Sequence, residues 1–448
     1  MKKQELNLLN DKVSSLFCHF AIPGVLSSLS MCLYGIIDGM ILGQFIGPNA
    51  MAAVNMAAPI FNIISCIAIL IAIGGNTLVG ISLGEQNRNK ANHYFNNAVT
   101  VLLTIALVVW ITVVFFPTQL AQAVGANQVL LPFVKQYVQT FGFFVIPIIF
   151  NIILGLSLQS IGKPQLYMIG NILTMAINII LDLLFICVFK WGIFGAALAS
   201  GISATIVFVL FLSKFIQKDS ILKLGRCRMD FPALAQMAYN GSSEAITQLC
   251  GGLSNLIFNW LLISRFGEVG VSAFAAVQYI SLAINAIIMG MSRGVAAIIS
   301  VNFGGKLIER VKGILSLAVK TVTVTGILCT TFLLLFKNPL ISVFVRGNPE
   351  VFETASEIIS YYSFSFIFIG ANVVINTFYT AINDPKTSAG LAVIRFILLV
   401  AAFFTLPFFI GDIGLWFAFV CSEFVCLIIS LRMLERLKRK WEVRNLEV

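Results

Sequence analysis

The sequence predicts an all-α integral membrane protein: twelve transmembrane helices in two similar six-helix lobes facing each other across a central cavity. Three observations lead there. The 448 residues are 59% hydrophobic and 11% charged with a mean hydropathy of +0.96, whereas a soluble domain is near half apolar and a quarter charged. Apolar runs of the length needed to cross a bilayer recur along the whole chain. The second half also repeats the first.

The runs fall at 14 to 42, 52 to 82, 94 to 116, 132 to 161, 165 to 189, 192 to 215, 231 to 264, 271 to 302, 311 to 336, 351 to 381, 387 to 410 and 413 to 434. None shows the period-two alternation of a barrel strand. The first run follows MKKQELNLLNDK, exceeds the apolar core of a signal peptide and lacks its cleavage pattern, so it is expected to remain in the mature protein. The organisation this implies is a cytoplasmic N-terminus (1–13), an amino lobe (14–215), a linker (216–230), a carboxy lobe (231–434) and a basic tail (435–448).

The net charge of +10 is distributed unevenly. With loops assigned alternately, 21 of the 29 basic residues lie on one side: Lys2, Lys3, Lys12, Arg88, Lys90, Lys163, Lys214, Lys218, Lys223, Arg226, Arg228, Lys306, Arg310, Lys312, Lys386 and the cluster from Arg432 to Arg444. Lys135, Lys190, Arg265, Lys337 and Arg346 occupy the other. The positive-inside rule therefore puts both termini in the cytoplasm. The surplus reads as topology, which argues against a nucleic-acid partner. The nine cysteines include no CxxC pair, and all but Cys227 sit in apolar runs, as packing residues would.

Displacing the sequence by 220 positions aligns FIGPNAMAAV with RFGEVGVSAF and IGGNTLVGISLGEQNRNKA with SRGVAAIISVNFGGKLIERV. Gly74 falls on Gly294 and Gly84 on Gly304; after a slip of one residue, Asn151 meets Asn372 and Pro164 meets Pro385. Six helices per copy return the chain to its starting side, so the axis relating the halves runs along the membrane normal. Duplications of this kind mark secondary transporters.

Ionisable groups at membrane depth cost several kcal/mol, ~2.5 to 3.5 on insertion scales, and need a partner, a cavity or a function. Asp38, Asp182, Glu244 and Glu423 are the acids; Arg293, Lys320 and Arg395 are the bases. At ~1.5 Å per residue, Asp38 lies ~7 Å below Gly43 and Asp182 ~12 Å below Lys190, so both reach similar depth in the outer half. Asn178 is one turn from Asp182 on the same face, and Asn171 continues that face inward. Carboxylate and amide oxygens so grouped suit a cation or an exchangeable proton. At the corresponding places of the repeat the second half carries Phe258 for Asp38 and, after the slip of one residue, Leu399 for Asn178 and Phe403 for Asp182, while Gly24 stands opposite Glu244. The framework thus tolerates apolar residues where the acids stand. Asn55, Asn62, Asn151, Gln159 and Asn372 are further candidates for lining a cavity. His19 and His93 fall at membrane edges, away from any metal-like cluster.

These segments resemble the multidrug and toxic compound extrusion (MATE) family. The resemblance is carried by IPGVLSSLSMCLYGIIDGMILGQFIGPNAMAAVNMAAPI, GGNTLVGISLGEQNRNKA, NIILD, GIFGAALAS and GMSRGVAAIISVNFGGK, and covers nearly the whole chain. It implies a V-shaped, monomeric protein of the cell inner membrane. The protein would export small organic, often cationic, compounds by alternating access, driven by Na+ or H+ and without other cofactors. The family's cation site carries over onto Asp38, Asn178 and Asp182, with Ser200 where many members have threonine. Glu244 in GSSEAITQL matches an acid used by some members, whereas ANVVINTFYTAIN has no carboxylate where others carry one. A lipid-linked oligosaccharide flippase of the related superfamily is the alternative, with Arg293 and Arg395 as its main phosphate-binding candidates. An Asp38/Asp182 protease dyad lacks the flanking signatures, and no GK[ST] phosphate loop supports nucleotide-driven transport.

Overall fold

In the computed structural model, residues 7–225, 229–345 and 348–446 are described, with side chains as far as residue 442. Lys2, Lys3, Arg226, Cys227, Arg228, Arg346 and the side chain of Arg444 lie outside the described residues. Fourteen α-helices are found there, in order α1 (Val13–Phe45), α2 (Pro48–Gly84), α3 (Arg88–Phe115), α4 (Pro117–Ala123), α5 (Leu131–Gly142), α6 (Val145–Ser160), α7 (Pro164–Asp182), α8 (Gly192–Ile216), α9 (Phe231–Gly304), α10 (Ile308–Phe344), α11 (Pro349–Tyr362), α12 (Phe366–Ala381), α13 (Pro385–Ile410) and α14 (Ile413–Leu446). No strand occurs among the described residues.

The helices resolve into twelve spans. Ten are long and apolar enough to cross a membrane, and α5 with α6, bent by 52°, forms an eleventh. The twelfth is hidden in α9, whose 74 residues are interrupted at Gly267, with φ 59° and ψ −147°. Only glycine adopts this backbone cheaply, and the chain reverses there. Sixteen residues of straight helix would separate Phe258 from Phe274 by ~24 Å, yet their ring centroids lie 4.5 Å apart.

The two lobes meet at the end bearing the basic loops. Gly24 of α1 lies so close to Gly290 of α9 that neither leaves room for a Cβ, and Gly241 meets Leu70 in the same way. Gly84 approaches Val301 while Gly304 approaches Ile81, and Gly80 approaches Ser300. Each contact of α2 with the end of α9 is thus repeated by its counterpart 220 positions away, as an axis passing between Gly80 and Ser300 requires. At the opposite end Met31, Leu33 and Met40 of α1 and Leu253, Leu256 and Trp260 of α9 are exposed. The lobes part there, and the molecule is a V open on the side away from the basic loops.

These contacts correct one equivalence. Gly24 against Gly290 and Gly241 against Leu70 are the same contact in the two lobes, so the counterpart of Gly24 is Gly241 and that of Glu244 is Ser27. Phe258 still stands for Asp38 at the outer end. Between these points α9 contains three more residues than α1, a shift of nearly one turn that ungapped alignment could not detect.

Helix α14 continues beyond residue 434. α14 runs to Leu446, and Trp441 packs on Phe303 and Phe378 with ring centroids 6.3 and 6.2 Å apart. The linker is held by an asparagine ladder on α3. Asn92 bonds the carbonyl of Ile221 and the N–H of Lys223, Asn96 those of Lys223 and Gly225, and Asn97 those of Asp230.

Candidate functional site

Asp38, Asn178, Asp182 and Ser200 converge between α1, α7 and α8. Asn178 and Asp182 have no solvent exposure and Ser200 has 6%, while Asp38 is half-buried. The carboxyl groups of Asp38 and Asp182 interact directly, and the Asn178 amide adjoins Asp182. Asn178 donates from Nδ2 to Ser200 Oγ at 3.2 Å, and Ser200 shares a 3.0 Å hydrogen bond with the hydroxyl of Tyr34. Helical spacing explains the set: Tyr34 and Asp38 are one turn apart on α1, as are Asn178 and Asp182 on α7.

The hydrogen-bond inventory of this site is one-sided. Among the described residues, Asp38 Oδ1, Asn178 Oδ1 and both carboxylate oxygens of Asp182 are buried with no hydrogen-bond partner. Buried acceptors are almost always satisfied, and two carboxylates in contact cannot both stay ionised without a proton or cation between them. A cluster of oxygens with no protein donor is suited to accept that positive charge.

Directly after Asp182 the helix widens into a π-helical turn, Leu183–Val188, a distortion frequent at functional sites. It brings Ile186 against Ile41, Leu42 and Ala196, an apolar cap on the outer side of the acids. Tyr34 and Tyr137 complete the surroundings, both within electrostatic reach of Asp38 and Asp182. Sequence reasoning missed them. Tyr34 could have been found from its spacing to Asp38; Tyr137, on α5, carries no local signal.

The remaining polar candidates separate by environment. Asn372 donates from Nδ2 to Glu423 Oε2 at 2.8 Å and to the Glu423 carbonyl at 2.9 Å, and Arg395 pairs with Glu423 through Nε. Asn151 donates to the Ala204 carbonyl at 2.8 Å, and Asn171 to that of Tyr167 at 3.0 Å. Asn151 and Asn372, considered as cavity lining, thus serve to bind helices together, because a buried amide in an apolar bundle takes the nearest backbone or carboxylate partner. Asn55 and Asn62 are exposed on the outer half of α2, away from the lobe contact. Lys320 is exposed on α10.

Glu244 and Gln159 share a small cleft of about 70 Å³ at the apex of the V, between the lobes. Asn76, Thr77, Ser292 and Arg293 contribute its other polar groups. Its apolar wall includes Ile73, Leu156 and Met289.

Comparison with known proteins agrees with this architecture. The family model MatE matches twice, over residues 23–184 and 245–405, one match per lobe. A multidrug export protein MepA of Staphylococcus saprophyticus is 24% identical over 437 residues, covering 96% of this chain and 95% of that protein. The fold superposes with a TM-score of 0.90 on the outward-facing conformation of a multidrug resistance MATE family transporter of the MOP superfamily, at 19% identity over 98% of this chain and 100% of the other. A MOP superfamily transporter from Pyrococcus furiosus, described as having a binding pocket of reverse polarity, matches with a TM-score of 0.89 at 19% identity, over 98% of each chain.

Proposed function

Since the chain belongs to the MATE family, we propose that it is a secondary active exporter of small organic compounds, working by alternating access between its lobes and driven by inward flow of Na+ or H+. It resides as a monomer in the plasma membrane, with the basic loops and both termini in the cytoplasm. The V is then the outward-open state, with the glycine contacts sealing the cytoplasmic side. The coupling site is Asp38, Asn178, Asp182 and Ser200, joined by the hydroxyl of Tyr34.

One observation carries this reading: four buried oxygens of Asp38, Asn178 and Asp182 have no donor among the described residues. A proton entering from outside would bridge the two carboxyl groups; Na+ would use the same oxygens, with the hydroxyls as neutral ligands. Either neutralises a like-charge contact, so α1 and α7 pack differently in the loaded and empty states. Difference in packing is what lets an ion bias one conformation over the other.

Efflux of a fluorescent organic cation from proteoliposomes, with Na+ and pH gradients imposed separately, tests the proposal. The expected result is transport driven by one gradient and lost in Asp38→Asn and Asp182→Asn. Unchanged gradient-driven efflux in both variants would remove the site from the mechanism. The flippase reading is weakened by Arg395, whose charge is committed to Glu423. Arg293 then remains the single arginine in the apex cleft, too little for a pyrophosphate.

A further inference from the structure

The last helix carries charge that neither the packing nor the coupling site uses. A hydrocarbon layer of ~30 Å takes about 20 residues of helix, so α14, entering after Asp412, leaves it near Met433. The helix nevertheless continues to Leu446. Its counterpart α8, the last span of the amino lobe, ends at Ile216 after 25 residues against the 34 of α14. The added length has two faces. Leu434 is buried, and Met433, Leu437 and Trp441 pack with it against Phe303, Ile314 and Phe378. Arg432, Arg436, Arg439 and Lys440 are exposed and make no ion pair or hydrogen bond among the described residues.

The geometry points to what covers them. Spacings of three and four residues place Arg432, Arg436 and Arg439 in line with Val425 and Ile428, which are exposed on the apolar part of the helix. The face that meets lipid tails thus runs directly into the cationic stripe. Counting from Met433, Arg436 lies ~5 Å and Lys440 ~10 Å beyond the hydrocarbon, where the headgroup layer is about 5 to 7 Å thick. Side chains lean toward the start of their helix, which at this end is back toward the bilayer, and arginine and lysine are long enough to bring their charges to the phosphates. Lys386, exposed at the start of α13, stands level with Arg432, because α13 and α14 run an equal number of residues from the Arg395–Glu423 pair to this end. Acids do not cancel the stripe. Glu435 is the sole acid between Arg432 and Lys440, and Glu442 is turned toward Lys312, 3.7 Å away.

We propose that Arg432, Arg436, Arg439 and Lys440 form a docking surface for anionic phospholipid headgroups, in the leaflet from which α14 emerges. Basic clusters directly beyond a spanning helix attract anionic lipid, and this one is held rigidly at headgroup depth by the packing of Trp441. A soluble polyanion would have to displace the bilayer from the same face. The inference needs only that α14 spans the membrane, and stands apart from the choice of coupling ion.

Native mass spectrometry of the purified full-length protein, titrated with phosphatidylglycerol or with phosphatidylcholine of the same acyl chains, gives the affinity of each lipid. Wild type is expected to prefer phosphatidylglycerol by about tenfold or more, since each basic residue at the surface contributes about fivefold. Arg432→Gln, Arg436→Gln, Arg439→Gln and Lys440→Gln combined should bring the two lipids within about twofold of each other. Arg88→Gln, Lys218→Gln, Lys223→Gln and Lys306→Gln combined remove as many exposed charges from the other basic loops and should keep the preference. Arg432→Gln with Arg436→Gln should lose more of it than Arg439→Gln with Lys440→Gln, because the first pair stands nearer the phosphates; these double variants carry the test should the quadruple variant be unstable. Equal wild-type affinities, a preference that survives the quadruple variant, or an equal loss in the loop variant would overturn the proposal. An outer pair that matters as much as the inner one, or displacement of the bound lipid by an equal concentration of inorganic phosphate, would mark a site for soluble anions and overturn it as well.

Discussion

The amino and carboxy lobes place opposite chemistry at equivalent points. Where Asp38 meets Asp182 in the first, Phe258 stacks on Phe403 in the second, with centroids 4.9 Å apart and Phe274 and Phe419 closing around them. The aromatic version is dry and dispersion-bound. The acidic version contains acceptors without donors and a π-helical turn beside them. One framework accommodates both, so the acids are not needed to build it, which supports the proposal that they bind the coupling ion. The carboxy lobe does bury charge, but as a satisfied set in which Glu423 holds Arg395 and Asn372. An unpaired site can change occupancy. The Arg395–Glu423 ion pair joins α13 to α14 with its charges already satisfied.

The largest effect that would sharpen this contrast is on transport. Asp182→Asn should lower gradient-driven efflux to the background of empty liposomes, a drop of about a hundredfold or more, while thermal stability stays equal or rises because a buried like-charge contact is removed. A stability loss of several degrees with efflux retained would assign Asp182 to structure, and the contrast would fail.

Next in size is the ion pair. Arg395→Met leaves Glu423 buried and unpaired and is expected to cost about 3 to 5 kcal/mol, whereas the double variant Arg395→Met with Glu423→Leu should recover most of that loss. Unfolding titrations measure the difference, and efflux per folded molecule should be unchanged in the double variant. Ion-dependent loss of efflux in it would give the carboxy lobe a coupling role of its own.

Phe403→Ala opens a cavity under Phe258 and should destabilise by about 3 to 4 kcal/mol, without altering which gradient drives transport. The smallest effect belongs to Ser200. Ser200→Thr keeps the hydroxyl that bonds Tyr34 and Asn178 and should leave efflux within about twofold. Ser200→Ala removes both hydrogen bonds, each worth about 1 kcal/mol, and should lower ion affinity by roughly fivefold or more. Titration of efflux rate against the driving ion distinguishes the two variants.

Much of this contrast could be read along the chain. Asp38 and Asp182 interrupt apolar runs at matching depth, and the repeat identifies Phe258 and Phe403 as their replacements. Glu423 and Arg395 were visible as buried charges, but nothing in their spacing paired them, since they lie on different helices and meet only through the packing of α13 on α14. Asn151 and Asn372 looked like wall residues because a polar residue in a membrane helix carries no mark of the direction it faces. The three-residue shift between α1 and α9 escaped for a related reason: both segments are helical and apolar throughout, so a slip of nearly a turn leaves their patterns alike.

The sequence by itself determined the membrane spans, the duplication and the two carboxylates of the candidate coupling site, because hydropathy and repetition act locally and survive any arrangement of the helices. The tertiary structure decided which oxygens lack donors, that Tyr34 and Tyr137 border them, and that Glu244, Arg293 and Gln159 share one cleft. These depend on helix rotation and on the reversal at Gly267. A few tens of degrees of rotation separates a group facing its partner from one facing lipid, and only packing sets that angle.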